Sequence, residues 1–155
     1  MPTKIHLLIA LSLVGLLGGC LVAYAHEGEN HGIPEVTYEE LGATKPSLLP
    51  SHTFYFLKEW RRAFVLLFTF DSVKKAAREA EFTNEKAAEV KALAEENLEH
   101  TDAFTRAIQN YRTARARAEK RLQSLAQNPH AAELLIKTEE RAKAHEALFE
   151  ELQGR

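Results

Sequence analysis

The chain has 155 residues and a formal net charge of −2, with 45% of its residues hydrophobic and 27% charged. Acidic and basic residues are interleaved, so the sequence lacks the concentrated basic patch that is typical of a nucleic-acid-binding domain. Its single cysteine, Cys20, lies near the start, and beyond Pro50 only Pro129 and Gly154 interrupt possible helices. These features exclude a disulfide-stabilised domain and favour long helices over a β-rich fold.

The first 25 residues are typical of a secretory signal peptide. Lys4 supplies a positive start, residues 5–17 form an apolar run, and Ala23 and Ala25 are the small residues that a signal peptidase requires. We therefore predict cleavage after Ala25. The protein is expected to be exported to the periplasm, the cell surface or the medium.

Two other fates of this segment stay open. Leu17-Gly18-Gly19-Cys20 fits a loose lipoprotein signal, in which Cys20 is lipidated and becomes the first residue of the mature chain. The apolar Leu21 that follows it is unlike the polar tether of most lipoproteins. The third interpretation is an uncleaved anchor, because an apolar stretch of about 20 residues is just long enough to span a bilayer.

Residues 26–50 are predicted to form a flexible tether, since glycines and prolines are concentrated there. Within the tether, Thr37 and Glu40 have the spacing of a capping box, and Gly42 follows as a stop signal. We expect one short helical turn at this point.

The candidate metal ligands are His26 and His31. Cleavage after Ala25 would give His26 a free amine next to its imidazole, and nitrogen ligands of this kind suit copper, nickel and zinc. The competing interpretation is a polar leader without a metal role, because a mobile site has no surrounding side chains to orient its ligands.

Helix 1 is predicted to begin at Ser51 or Thr53 and to end near Phe68. One side of it is apolar and largely aromatic, and the charged residues fall opposite. We expect the apolar side to enter the core, because the alanine-rich stripes of the later helices need bulky partners. On that interpretation Trp60→Ala unfolds the domain; the alternative is a helix that lies on a membrane surface. The apolar residues are Phe56, Leu57, Trp60, Ala63, Phe64, Leu67 and Phe68, and the charged ones are Lys58, Glu59, Arg61 and Arg62.

Three further helices follow from cap signals and apolar spacing. Asp71 is expected to cap helix 2, and residues 97–101 to break the pattern before Thr101 or Asp102 caps helix 3. Asn128, followed by a proline, is expected to open helix 4. The lengths predict an all-α domain over residues 51–153, built as an elongated antiparallel helical bundle or coiled-coil hairpin.

Two segments, read in order, resemble a known family. Residues 49–58 read LPSHTFYFLK and residues 68–76 read FTFDSVKKA. They are similar to exported bacterial helical proteins grouped as domain of unknown function 5667, which typically read Leu-Pro-x-Ser-Pro-x-Tyr-x-Leu-Lys and then Phe-Thr-Phe-Asp-Pro-x-x-Lys-Ala. Residues 84–89 are the counterpart of the family's third motif, Ala-x-x-Arg/Lys-Leu-x-Glu, with alanine in place of leucine. The chain also has Thr53 and Ser72 where proline is common. The resemblance implies an all-helical, exported protein and brings no activity or catalytic residues.

No catalytic constellation is present in the sequence. It has no Gly-x-Ser-x-Gly turn, no phosphate-binding glycine loop and no Glu-x-x-His pair. We therefore expect a protein that is not an enzyme, needs no cofactor, and acts as an exported helical interaction or scaffold module with an unknown protein partner. The alternatives are metal handling through His26 and His31, or contact with a membrane surface through helix 1.

Overall fold

The computed structural model describes residues 35–97 and 101–154. It contains four α-helices and a short 3-10 helix, and these ranges contain no strand, so the all-α prediction is confirmed. The predicted signal segment with Cys20, the candidate ligands His26 and His31, and His100 lie outside the described ranges. The helices are α1 (Tyr55–Leu67), α2 (Ser72–Glu95), α3 (Asp102–Ser124) and α4 (Ala132–Gln153), with the 3-10 helix at Pro129–Ala131.

Local cap signals set the starts of α2 and α3, as the sequence predicted. The predicted start of helix 1 at Ser51 or Thr53 was wrong, because neither side chain caps it and α1 begins at Tyr55. The Asp71 carboxylate accepts a hydrogen bond from the Lys74 amide at 2.7 Å, and the Thr101 hydroxyl accepts one from the Phe104 amide at 3.2 Å. Asn128 Oδ1 accepts from the His130 amide at 3.0 Å just before α4. The predicted break after α2 begins at Asn97, whose φ of 54° is incompatible with a continuing helix.

The helices pack in antiparallel order around α2. Arg121 near the end of α3 pairs with Glu79 near the start of α2 at 2.6 Å. On the other side of α3, Tyr111 packs against His145 and Phe149 of α4, with ring centroids 5.5 and 4.7 Å apart. α1 also runs antiparallel to α2, as its ion pairs show below. In the described ranges, α1 and α3 therefore each run antiparallel to α2.

The core is built from small side chains with a few large ones inserted. Alanines of α2 and α3 supply much of the buried surface, so the helices approach closely. Leu93 of α2 and Leu148 of α4 are both fully buried, and they belong to one hydrophobic cluster with Phe104 and Tyr111 of α3. A smaller cluster joins Ala76, Leu122, Leu125 and Ala131 at the other end of the bundle.

Residues 35–50 differ from the flexible tether that we expected for 26–50. The capping box is present, with the Thr37 and Glu40 side chains each accepting from the other's amide at 3.2 and 2.7 Å. Gly42 has a φ of +74° and reverses the chain after this turn. Leu41 and Leu49 are only 0% and 2% exposed and belong to the main core. This segment therefore supplies the bulky side chains that the alanine-rich stripes require.

His145 is buried beneath this segment. Its exposed fraction is 4%, and its Nε2 lies 3.4 Å from the Leu41 carbonyl oxygen. Burial lowers the pKa of His145 to about 4, the carbonyl contact opposes that shift, and Arg115 and Arg141 add to it while Glu146 opposes it. The histidine is therefore neutral in the folded protein at pH 7.

We predict an acid-sensitive stability that depends on His145. In the unfolded chain this residue binds a proton below its ordinary pKa of 6.5, whereas the folded protein resists protonation down to about 4. The stabilisation is complete above pH 6.5 and is lost as the pH falls, by roughly 3 kcal/mol at pH 4. Urea unfolding at pH 7 and pH 4 measures it. His145→Gln is the control, and an equal loss in both proteins contradicts the prediction.

Candidate functional site

α1 contacts α2 through its polar side, which is the reverse of the orientation that we predicted. Arg62 is 4% exposed, whereas Trp60 is 62% exposed. The core assignment of the apolar side was wrong. Lys58, one of the charged residues opposite that side, is 21% exposed and pairs with Glu89 of α2. The physical reason is a set of acidic and basic groups on α2 that the polar side of α1 matches.

Glu89 of α2 is the centre of this match. Its side chain is completely buried and receives Lys58 Nζ and Arg62 Nη2 on one carboxylate oxygen, each at 2.8 Å. The Tyr55 hydroxyl donates a short hydrogen bond to the other oxygen. A buried carboxylate is costly unless it is paired and hydrogen-bonded, and three donors from one helix meet that requirement.

Two more acidic residues complete the layer between the helices. Arg62 reaches Glu85 at 2.6 Å and also contacts Glu59 on its own helix. Lys86 of α2 reaches back to Glu59 at 2.9 Å. The three cations and three carboxylates of this layer balance, so α1 is held by charge without leaving a net charge in the interior. We call this set the α1–α2 ion-pair layer; it comprises Tyr55, Lys58, Glu59, Arg62, Glu85, Lys86 and Glu89.

The electrostatic balance of the layer is visible in its pKa shifts. Burial opposes the charge on Arg62, but Glu89 and Glu85 outweigh burial and raise the pKa of Arg62 above its ordinary value. Burial, followed by the field of Glu89, raises the pKa of Tyr55, so this phenol stays protonated as a donor. Burial lowers the pKa of Lys86, and Glu59 partly offsets that effect. These shifts describe a structural layer whose groups are occupied with one another.

The opposite side of α1 presents a continuous apolar surface to solvent. Eight large apolar side chains between residues 54 and 70 are each at least half exposed. Aromatic side chains carry roughly 150–250 Å² each, so the set exposes on the order of 1,000 Å². The largest apolar patch on a typical monomer is only about 300–600 Å². We call this set the α1 apolar surface: Phe54, Phe56, Leu57, Trp60, Phe64, Leu67, Phe68 and Phe70.

Phe70 belongs to this surface and does not anchor the corner between α1 and α2. The sequence Phe70-Asp71 has the pattern of an apolar anchor followed by a cap. The Asp71 cap is present, but Phe70 is 89% exposed. The apolar surface thus extends from α1 into the connection with α2.

The histidines within residues 35–97 and 101–154 do not form a cluster. His26 and His31 lie outside the described residues, so the metal prediction for them stays a prediction. His145 is buried in the core, and His130 lies in the 3-10 helix before α4. Over residues 35–97 and 101–154, no group of three or more His, Cys, Asp or Glu side chains is arranged to hold a metal ion.

The comparison with protein families identifies the domain. The family model described as "Domain of unknown function (DUF5667)" matches residues 47–155. The chain belongs to this family. Comparisons with curated proteins and with solved structures give no match. No helix in the described ranges combines the length and apolar character needed to cross a bilayer.

Two of the three DUF5667 motifs now have a structural explanation. Tyr55 and Lys58 occupy the tyrosine and lysine positions of the first motif, and Lys86 and Glu89 occupy the basic and acidic positions of the third. All four side chains are in the α1–α2 ion-pair layer. The motif residues therefore fix α1 on α2 and determine which of its sides faces outward.

We predict that breaking this layer is strongly destabilising. Glu89→Gln leaves Lys58 and Arg62 in the interior without their main counter-charge, and should lower the free energy of unfolding by about 3–5 kcal/mol. The matched control is Glu81→Gln, which removes a pair with Arg78 in which both side chains are 54% exposed; it should cost no more than about 1 kcal/mol. Chemical denaturation compares the two, and equal effects argue against a structural role for the layer.

The same geometry reverses the expectation for Trp60. Because its side chain is largely exposed, Trp60→Ala should change the free energy of unfolding by less than about 1 kcal/mol. Leu93→Ala, in the core, should cost roughly 2–5 kcal/mol. A Trp60→Ala variant that is destabilised as much as Leu93→Ala shows that the outward orientation of α1 is wrong.

Proposed function

We propose that this protein is an exported, non-catalytic interaction module that docks through the α1 apolar surface. The observation that carries the proposal is the exposure of eight large apolar side chains on one side of one helix and its flanking turns. Exposed apolar patches of this size are typical of surfaces that bind a protein or a membrane.

The opposite side of α1 explains why this surface is available for binding. Lys58, Glu59 and Arg62 are engaged with α2. Turning α1 over to bury its aromatic side would leave Glu89 without its counter-charges, and an unpaired buried charge costs several kcal/mol. The domain therefore cannot bury the apolar side of α1 itself without that free-energy cost. Burial of this side against a partner would stabilise the complex by about 25 cal/mol for each Å² of apolar surface removed from water.

The non-catalytic part of the proposal is supported by the location of the charged groups. The largest cluster of titratable side chains in the described ranges is the α1–α2 ion-pair layer, whose members pair with one another between two helices. Reactive groups need access to a substrate and a free proton or electron pair. Glu89 has neither, because it is buried and accepts from three donors.

Export is supported by the sequence of the first 25 residues and by the family resemblance. On this proposal the docking partner lies outside the cytoplasm. Metal handling by His26 and His31 remains the second candidate function from the sequence.

Site-specific cysteine labelling in the exporting cells tests the docking proposal. Phe64→Cys places a thiol on the α1 apolar surface, and Ile136→Cys places one on α4 at an apolar side chain of similar exposure, 62% against 54%. A membrane-impermeant maleimide should modify the cysteine at position 64 more slowly than the one at position 136 in cells, and both equally after denaturation. The parent chain, whose one cysteine is Cys20, gives the background. Equal labelling in cells contradicts docking through α1.

A further inference from the structure

Unpaired cations flank the α1 apolar surface on three sides. On one side of α1, Arg61 lines a groove with Leu57 and Glu85. On the other side, Arg117 of α3 lines a groove with Ala63 and Leu66. At the end of α1, Lys74 lies beside Phe68 and Phe70. None of the three cations forms an ion pair within residues 35–97 and 101–154.

The acidic groups in the same grooves are already occupied. Glu85 binds Arg62, Glu79 binds Arg121, and Glu81 binds Arg78. Asp71, which lines the groove with Lys74, accepts an amide hydrogen bond as the cap of α2 and keeps its negative charge. The two flanks with Arg61 and Arg117 are therefore basic in effect, and the second extends along α3 to Arg112 and Lys120, which line the next depression together with Arg117.

This arrangement is poorly suited to a second copy of the chain. Arg61 is the midpoint of α1 (Tyr55–Leu67), so an antiparallel two-fold pairing centred there places the two Arg61 side chains together. With cations on both flanks, a parallel pairing also brings like charges close. The outward apolar residues of α1 span roughly 100° at 100° per residue. That arc is wider than the seam that a single partner helix covers.

An aromatic helix face that is flanked by cations is better suited to a lipid surface. A lipid bilayer adapts to the shape of the helix that enters it. Phenylalanine, leucine and tryptophan side chains enter the boundary between headgroups and acyl chains, and Lys and Arg side chains contact anionic headgroups. Trp60 lies near the centre of the helix, and α1 with its 13 residues is about 20 Å long, which suits a helix lying in the plane of a membrane surface.

We propose that the occupant of the α1 apolar surface is a lipid membrane with anionic headgroups. The inference rests on the proposed docking function and names its partner. The polar side of an ordinary interfacial helix faces water, whereas the polar side of α1 is bound to α2 by the α1–α2 ion-pair layer. Insertion of α1 therefore attaches the whole domain to the membrane. Arg61, Arg117 and Lys74 contact phosphate groups around the inserted ridge.

Trp60 is the only tryptophan in the chain, so its fluorescence reports this contact directly. The exported, processed protein is titrated with vesicles of phosphatidylcholine alone and of phosphatidylcholine mixed with phosphatidylglycerol. We expect a blue shift of the Trp60 emission with the anionic vesicles and quenching by lipids brominated on the acyl chain.

Arg61→Gln and Lys74→Gln should each weaken binding to anionic vesicles about fivefold while leaving the weak binding to neutral vesicles unchanged. Lys137→Gln, on α4, is the matched charge control.

The outcomes separate the lipid inference from the docking function. Emission that does not respond to anionic vesicles overturns the lipid inference. Emission that is already blue-shifted without vesicles, and that depends on protein concentration, also overturns it and identifies a second copy as the occupant. In either case, a cysteine at position 64 that is still protected in cells keeps the docking function with another partner. A cysteine that is accessible there rejects both.

Discussion

The buried carboxylate of Glu89 is the constraint on which the arrangement of this domain depends. It lies in the second half of α2 with no exposure to solvent, and it is neutralised by Lys58 and Arg62 and hydrogen-bonded by Tyr55. All three donors come from α1. A buried charge must be paired to be tolerated, so this single residue requires α1 to present its polar side inward.

The rest of the domain follows from that requirement. With the polar side of α1 turned to α2, the aromatic side is unavailable to the core. The alanine-rich helices obtain bulk elsewhere, from Leu41 and Leu49 in the segment before α1 and from Leu93 and Leu148 within the bundle. The eight apolar residues of the α1 apolar surface then remain exposed together. The stability of the domain and its proposed docking surface are thus two consequences of one set of ion pairs.

Local features of this fold could be predicted from the sequence. Asp71 and Thr101 each cap the helix that they were expected to cap, because a cap depends on residues only three positions apart. Asn128 caps the 3-10 helix that precedes α4, and α4 itself begins at Ala132 without a side-chain cap. The orientation of α1 could not be obtained in this way. An amphipathic pattern distinguishes the two sides of a helix but does not determine which side faces the protein. We expected the hydrophobic side of α1 to face the core. The missed signal was in α2, where Glu85, Lys86 and Glu89 recur at helical spacing among alanines, a charged stripe that matches the one on α1. The position of Leu41 in the core was equally hidden, because its segment has the composition of a loop.

The central claim is that the folded monomer holds Trp60 outward while Arg62 is buried beneath it. Collisional quenching by acrylamide, measured on dilute protein whose monomeric state is checked by light scattering, tests it most directly. The structure predicts that Trp60, 62% exposed, is quenched in the folded monomer nearly as efficiently as in the urea-unfolded chain. Strong protection of Trp60 in a folded monomer would contradict the claim, because it would mean that the aromatic side of α1 is packed inside the domain.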